Sequence, residues 1–170
     1  MRQVQHEEMR LLLDTSAALA LVLKDNESHS RVRERVRGHE LGLAGHARFE
    51  TYSVLTRMPV AYRLSPTSAA LLIRTTFPAS VTLSEQSQTD PLATLVDAGI
   101  AGGAVWDGLV ALAALDAGAR LLSLDRRALP TYRALGADVE LLLALLGVAG
   151  DLAPVQRRPV GERRLVAAVE

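Results

Sequence analysis

The chain has 170 residues, 49% of them hydrophobic and 22% charged, which supplies one ordinary core and leaves little room for two domains. Nineteen Lys and Arg balance nineteen Asp and Glu, so no global positive field announces a nucleic-acid partner, and any such binding has to come from local patches. Cysteine is absent, which excludes disulfide frameworks, thiolate nucleophiles and zinc–thiolate sites and leaves oxygen and histidine as metal ligands.

Residues 1–10, "MRQVQHEEMR", hold two glutamates and no apolar core, unlike a secretory signal. They are followed by a first apolar run, "RLLLD" at 10–14. "NESHSRVRERVRGHE" then sets Val32 and Val36 four apart among arginines, the pattern of a largely solvated helix. A second run, "LGLAG" at 41–45, leads into the helix "HARFETYSVLTR" at 46–57, which Pro59 ends by restricting Met58. "SPTSAALLIRTTF" opens with Ser65 as cap and Pro66 at the first helical position, and "DPLATLVDAGI" repeats that start with Asp90 and Pro91. Between these two helices lies a third run, "SVTLS" at 80–84. "GAVWDGLVALAALDAG", 103–118, is the most apolar helix, and two further runs follow it, "RLLSLD" at 120–125 and "DVELLL" at 138–143.

Five short apolar runs alternating with helical segments predict an α/β fold, a single domain with a five-stranded, mostly parallel sheet flanked by helices. The domain is expected over residues 9–147, with an N-terminal extension at 1–8. A tail at 148–170 contains two prolines and the arginine pairs 157–158 and 163–164. Apolar stretches such as "LLLALLGVAG" from 141 are too short and too interrupted by glycine to span a bilayer, so a soluble, cytoplasmic protein without membrane contact is expected.

Four acids do not fit this apolar pattern. Asp14 and Asp125 each end an apolar run, where the carboxyl ends of parallel strands form the ligand-binding crevice of an open sheet; the plain alternative is that each caps the next helix. Asp107 lies inside the most hydrophobic helix, with Gly103, Val110, Ala111 and Ala114 on its own face, where an unpaired carboxylate is costly without a cation, a donor or a ligand. Glu50, flanked by Phe49 and Tyr52, is by itself no more than an exposed helical glutamate or an ion-pair partner for Arg57. Each of the four starts at or just beyond the same edge of the expected sheet. Carboxylates gathered there repel one another until a hard divalent cation, Mg²⁺ or Mn²⁺, sits among them. A centre of that kind orients a phosphodiester and lowers the pKa of a bound water, so the chemistry expected is metal-dependent phosphodiester hydrolysis.

The motifs "LLLDTSAAL", "ARFETYSVLTRMP", "GGAVWDGLVALAA" and "RLLSLDRRALPTYRALGADVELL" resemble, in order and spacing, the PIN-domain ribonucleases of the VapC toxin group from bacterial toxin–antitoxin pairs, over roughly residues 9–145. The resemblance implies a PIN-like fold and a metal-dependent endoribonuclease that cuts structured RNA, usually a homodimer, held inactive by a cognate VapB-like antitoxin. It places the four catalytic, metal-holding acids at Asp14, Glu50, Asp107 and Asp125. It also matches a supporting hydroxyl at Ser16 and another at Ser123, where threonine is more usual.

Arg126 and Arg127, directly after Asp125, are candidates for RNA phosphates, set against a solvated helix start. Arg31, Arg33, Arg35 and Arg37 spread over more than one face and read as solvated surface. Aromatics make up 4% of the chain and Trp106 is its sole tryptophan, so a stacking platform for bases is disfavoured, and core or dimer packing is the default role of Trp106. His6, His29, His39 and His46 lack metal-ligand spacing, and His46, four before Glu50, reads as a surface residue. The competing functions are a PIN-type nuclease of RNA processing, and an idle binding module that acts through its partner complex. A haloacid-dehalogenase phosphatase is set aside because Ser16 stands where it needs a second aspartate.

Overall fold

The computed structural model describes residues 10–84 and 90–143. The expected extension at 1–8 and the tail at 148–170, with its arginine pairs, lie outside them. In chain order the elements are β1 (Arg10–Leu13), α1 (Thr15–Val22), α2 (His29–Arg35), β2 (Glu40–Leu43), α3 (Ala47–Arg57), a 3-10 turn (Val60–Tyr62), α4 (Pro66–Thr76), α5 (Pro91–Asp97), α6 (Ala104–Asp116), β3 (Arg120–Ser123), α7 (Leu129–Ala134) and β4 (Val139–Leu141). All neighbouring strands pair in parallel, in the order β2-β1-β3-β4. The expected α/β fold with a parallel sheet is therefore present, with four strands in place of five.

The leucine run of β1 shows why the sequence is apolar at every position and not at alternate ones. Side chains of a strand point alternately to the two faces, and here both faces are covered. Leu11 and Leu13 pack on one side with Ala17, Val32, Leu43, Leu55, Ile73 and Phe77, from α1 to α4 and their connections. Leu12 packs on the other side with Val110, Ala113 and Tyr132 from α6 and α7. Helix starts follow the capping chemistry of the sequence. Ser65 Oγ accepts the Ser68 N–H at 3.1 Å ahead of Pro66, and Asp90 Oδ1 accepts the Leu92 N–H at 3.0 Å ahead of Pro91. Met58 leaves α3 with ψ 161°, as a residue before proline must.

The third apolar run does not become a full strand. Residues 79–81 lie beside β2, with Ala79 N–H donating to Leu41 O and Val81 N–H to Leu43 O, but only the Ala44–Val81 bridge forms. The Leu43 N–H that a ladder carbonyl would accept goes to Ser80 Oγ at 3.0 Å, which interrupts the pairing after one bridge. Ala79 presses its carbonyl onto Gly42, where a Cβ would come within 2.2 Å of that oxygen. A glycine in β2 is thus required by close backbone approach.

The arginines of α2 are not simply a solvated face. Arg35 forms a bidentate pair with Glu140 of β4 at 2.6 and 2.7 Å, and Arg31 donates to Leu142 O at 3.3 Å. Two of the three arginines in α2 therefore fasten it to the sheet edge, because β4 brings Glu140 and the residue after it brings the Leu142 carbonyl under them.

Candidate active site

β1 and β3 are parallel neighbours, so Asp14 and Asp125, which follow them, emerge at the same edge of the sheet. Asp14 is 4% exposed and caps α1, with its Oδ1 accepting from the Ala17 N–H at 2.9 Å. Capping takes only one of its hydrogen bonds. Oδ1 also accepts from Ser16 Oγ at 2.6 Å, and Oδ2 accepts from Ser123 Oγ at 2.5 Å and Tyr132 Oη at 3.2 Å.

The two serines do more than solvate Asp14. Ser16 Oγ accepts the Leu124 N–H at 2.8 Å while donating to Asp14, and Ser123 Oγ accepts the Asp125 N–H at 3.0 Å while doing the same. Each hydroxyl thus ties the first acid to the backbone just beyond β3, where the fourth acid sits. Burial pushes the Asp14 carboxyl above the usual carboxylate range, opposed by these four donors. Burial and the neighbouring acids, Asp14 first among them, push the Tyr132 phenol up as well, so it remains a protonated donor.

Glu50 lies in the first turn of α3 and is exposed; its Oε2 accepts from Thr15 Oγ1 at 2.7 Å. It leans toward the start of α1 and Asp14, and not toward Arg57. Asp107 lies in the first turn of α6 and is half-buried, with Val110, Ala111 and Ala114 buried along the same helix and Gly103 exposed. Its carboxyl is raised first by burial, then by the negative charges of Asp125, Asp14 and Glu50, with Arg127 opposing. Four elements therefore deliver four acids into one electrostatic neighbourhood. Among the described residues no three acids or histidines already stand in a ligating arrangement, so the carboxylates share a field without being closed around a common point.

Arg127 folds back on Asp125, its N–H donating to Oδ1 at 2.8 Å and its Nε at 3.4 Å, while its side chain stays 93% exposed. Arg126 is exposed beside it.

Ribonuclease VapC27 of Mycobacterium tuberculosis is 42% identical to this chain over 129 residues, spanning 76% of this chain and 94% of the relative. The chain belongs to the VapC ribonuclease family. Ribonuclease VapC40 of the same organism is 39% identical over 134 residues, spanning 76% of this chain and 96% of the relative. The likeness carried by the four motifs is thus a family relationship. Among solved structures, PAE2754 from Pyrobaculum aerophilum aligns with a TM-score of 0.46 and 20% identity, over 77% of this chain and 90% of that one. No protein-family model matches the chain.

Two residues bonded to the candidate acids stand outside the residues singled out from sequence. Tyr132 reaches Asp14 across 118 positions and Thr15 reaches Glu50 across 35. Thr15 had a local signal, a hydroxyl directly after the first acid. Tyr132 had none beyond an aromatic inside a short polar helix.

Proposed function

We propose that the protein is a metal-dependent endoribonuclease, the toxin of a type II toxin–antitoxin pair, in which Asp14, Glu50, Asp107 and Asp125 hold Mg²⁺ or Mn²⁺ and structured RNA is the substrate. Support at the family level comes from VapC relatives named as ribonucleases. The geometry that supports the site is that Ser16 and Ser123 tie Asp14 to the backbone at Leu124 and Asp125 while Thr15, the residue after Asp14, holds Glu50, and the same three acids raise the Asp107 carboxyl.

The donor set fits the ion. Hard divalent cations prefer oxygen, and four carboxylates with no sulfur and no histidine among them supply it. When bound, such an ion supplies an activated water and offsets charge on the leaving oxygen. The chain's own residues do the rest. Ser16 and Ser123 hold Asp14 in one orientation relative to Asp125, so the first and fourth acids keep a fixed spacing. Thr15 holds Glu50 to the start of α1. Arg126 and Arg127 offer cationic contacts for phosphates at the mouth of the cluster, where acids alone would repel RNA.

The cognate partner is a VapB-like antitoxin and the working form is a homodimer. No helix among the described residues is long and apolar enough to cross a membrane, and a cytoplasmic location follows from the substrate. Cleavage of total RNA with Mg²⁺ or Mn²⁺ tests the reading. The native chain should cut, Asp14→Asn should not, and co-expression of a small protein encoded immediately upstream should silence the native chain. Equal cleavage by both forms would reject the site, and cleavage by neither would leave a binding module as the better account.

A further inference from the structure

Trp106 precedes Asp107 in the first turn of α6, and it is not a core residue: 53% of its surface is exposed. The His46 ring stacks against its indole, with centroids 4.4 Å apart and planes 22° from parallel. His46 caps α3 one turn before Glu50, whose N–H donates to His46 O at 3.1 Å. The pair therefore joins the starts of the two helices that carry Glu50 and Asp107. Gly45 makes this approach possible. It adopts φ 50°, and a Cβ there would lie 2.9 Å from both Ala113 Cβ and Leu109 O, so the turn before His46 sits directly on α6.

We propose that the stacked His46–Trp106 pair is a shelf for an unpaired nucleobase of the RNA substrate, beside the phosphodiester held at the acids. The inference rests on the ribonuclease reading above and extends it to how the substrate is held. A cluster of carboxylates without its cation repels phosphates, and the cationic contacts of Arg126 and Arg127 lie on the β3 side of the crevice. On the α3 and α6 side the rim offers an aromatic surface instead. Every base has a π-face, so a shelf of this kind works without reading sequence and without positive charge. His46 fixes the indole before RNA arrives, which reduces the ordering cost of binding. The base and the reacting phosphate belong to one nucleotide or its neighbour, so a ligand on Trp106 is necessarily close to Asp107. The aromatic scarcity that speaks against an extended stacking platform does not weigh against a single-base shelf.

Trp106 is the sole tryptophan beside three tyrosines, so emission excited selectively at tryptophan reports on this position alone. The intact chain is titrated in EDTA with a short unstructured RNA of mixed sequence, and with an abasic ribose–phosphate chain of the same length. Saturable quenching by the RNA and none by the abasic chain is expected. In cleavage assays with Mn²⁺, Trp106→Ala should raise KM roughly 5- to 100-fold with kcat changed by no more than about twofold, the loss of one base stack, and Trp106→Phe should restore most of it. Three results would overturn the shelf: emission unmoved by an RNA that the native chain cleaves, a fall in kcat at constant KM in Trp106→Ala, or conversion of a dimer to a monomer by that substitution, which would make Trp106 a contact between copies. If the native chain cleaves no RNA, the ribonuclease reading fails on its own, and the fluorescence titration still decides whether the pair binds bases.

Discussion

Asp14 accepts four hydrogen bonds where an N-cap needs one, and three of them come from side-chain hydroxyls. Their chemical role is to make an anion tolerable in a buried position. Tyr132→Phe removes one donor, so the Asp14 carboxyl should become still harder to ionise and the acid limb of the pH–rate profile should move to higher pH. Stability should also fall by roughly 1.5–3 kcal/mol, as expected for a buried hydrogen bond to a charged group; an unchanged acid limb would show that Tyr132 does not govern Asp14. Asp107 makes the opposite case. Its carboxyl is raised above 3.8, so the folded state disfavours its charged form, and that penalty is fully present above the raised value and absent below 3.8. Asp107→Asn without metal should therefore melt roughly 2–4 °C higher near neutral pH, the response of a chain this size to about 1 kcal/mol, with the gain fading as pH falls through the raised value. Its cleavage should drop by more than the roughly 10- to 100-fold that loss of a supporting partner costs. The acids were legible from sequence because a charge inside an apolar run is conspicuous. Tyr132 was not, because nothing local marks a phenol whose partner is 118 residues away.

At the level of elements, the strands that seat the acids were legible from uninterrupted leucine runs, since burial on both faces removes any alternation. The run at 80–84, SVTLS, also reads as a strand and meets a different end. Ser80 diverts the Leu43 N–H and the pairing stops at one bridge, a competition between side chain and ladder that composition does not reveal. The contact of Gly42 with Ala79 gives a test of that edge. Gly42→Ala places a Cβ 2.2 Å from a backbone oxygen and 2.8 Å from Leu12 Cδ2, so it should cost at least about 1–3 kcal/mol in denaturant unfolding, and a neutral result would show that residues 79–81 are free to move away. The opposite edge depends on Arg35 and Glu140. The arginine holds the Glu140 carboxyl below its ordinary 4.5, so the pair stabilises the fold above that pH and the contribution is lost as pH falls through the lowered value. Arg35→Ala should cost about 1 kcal/mol at neutral pH and nothing in strong acid, which paired melts at the two pH values would check. Arginines alternating along a short helix look solvated in sequence; only the position of β4 and the residue after it shows that Arg31 and Arg35 have partners there.

Across the whole molecule, β1 and β3 and the first turns of α3 and α6 direct Asp14, Asp125, Glu50 and Asp107 to one edge of a parallel sheet, with Tyr132, Ser16 and Ser123 orienting Asp14 and Thr15 orienting Glu50. The convergence could be expected from the strand-end rule, whereas the hydrogen bonds that make it tolerable depend on tertiary packing and could not. The central claim is that this edge is completed by a divalent cation. Calorimetric titration of the chain with Mn²⁺ in the absence of RNA tests it most directly. Saturable uptake by the native protein, lost or weakened by at least about tenfold in Asp14→Asn and in Asp107→Asn, is the result predicted. Uptake that is absent in the native protein, or equal in all three, would contradict it.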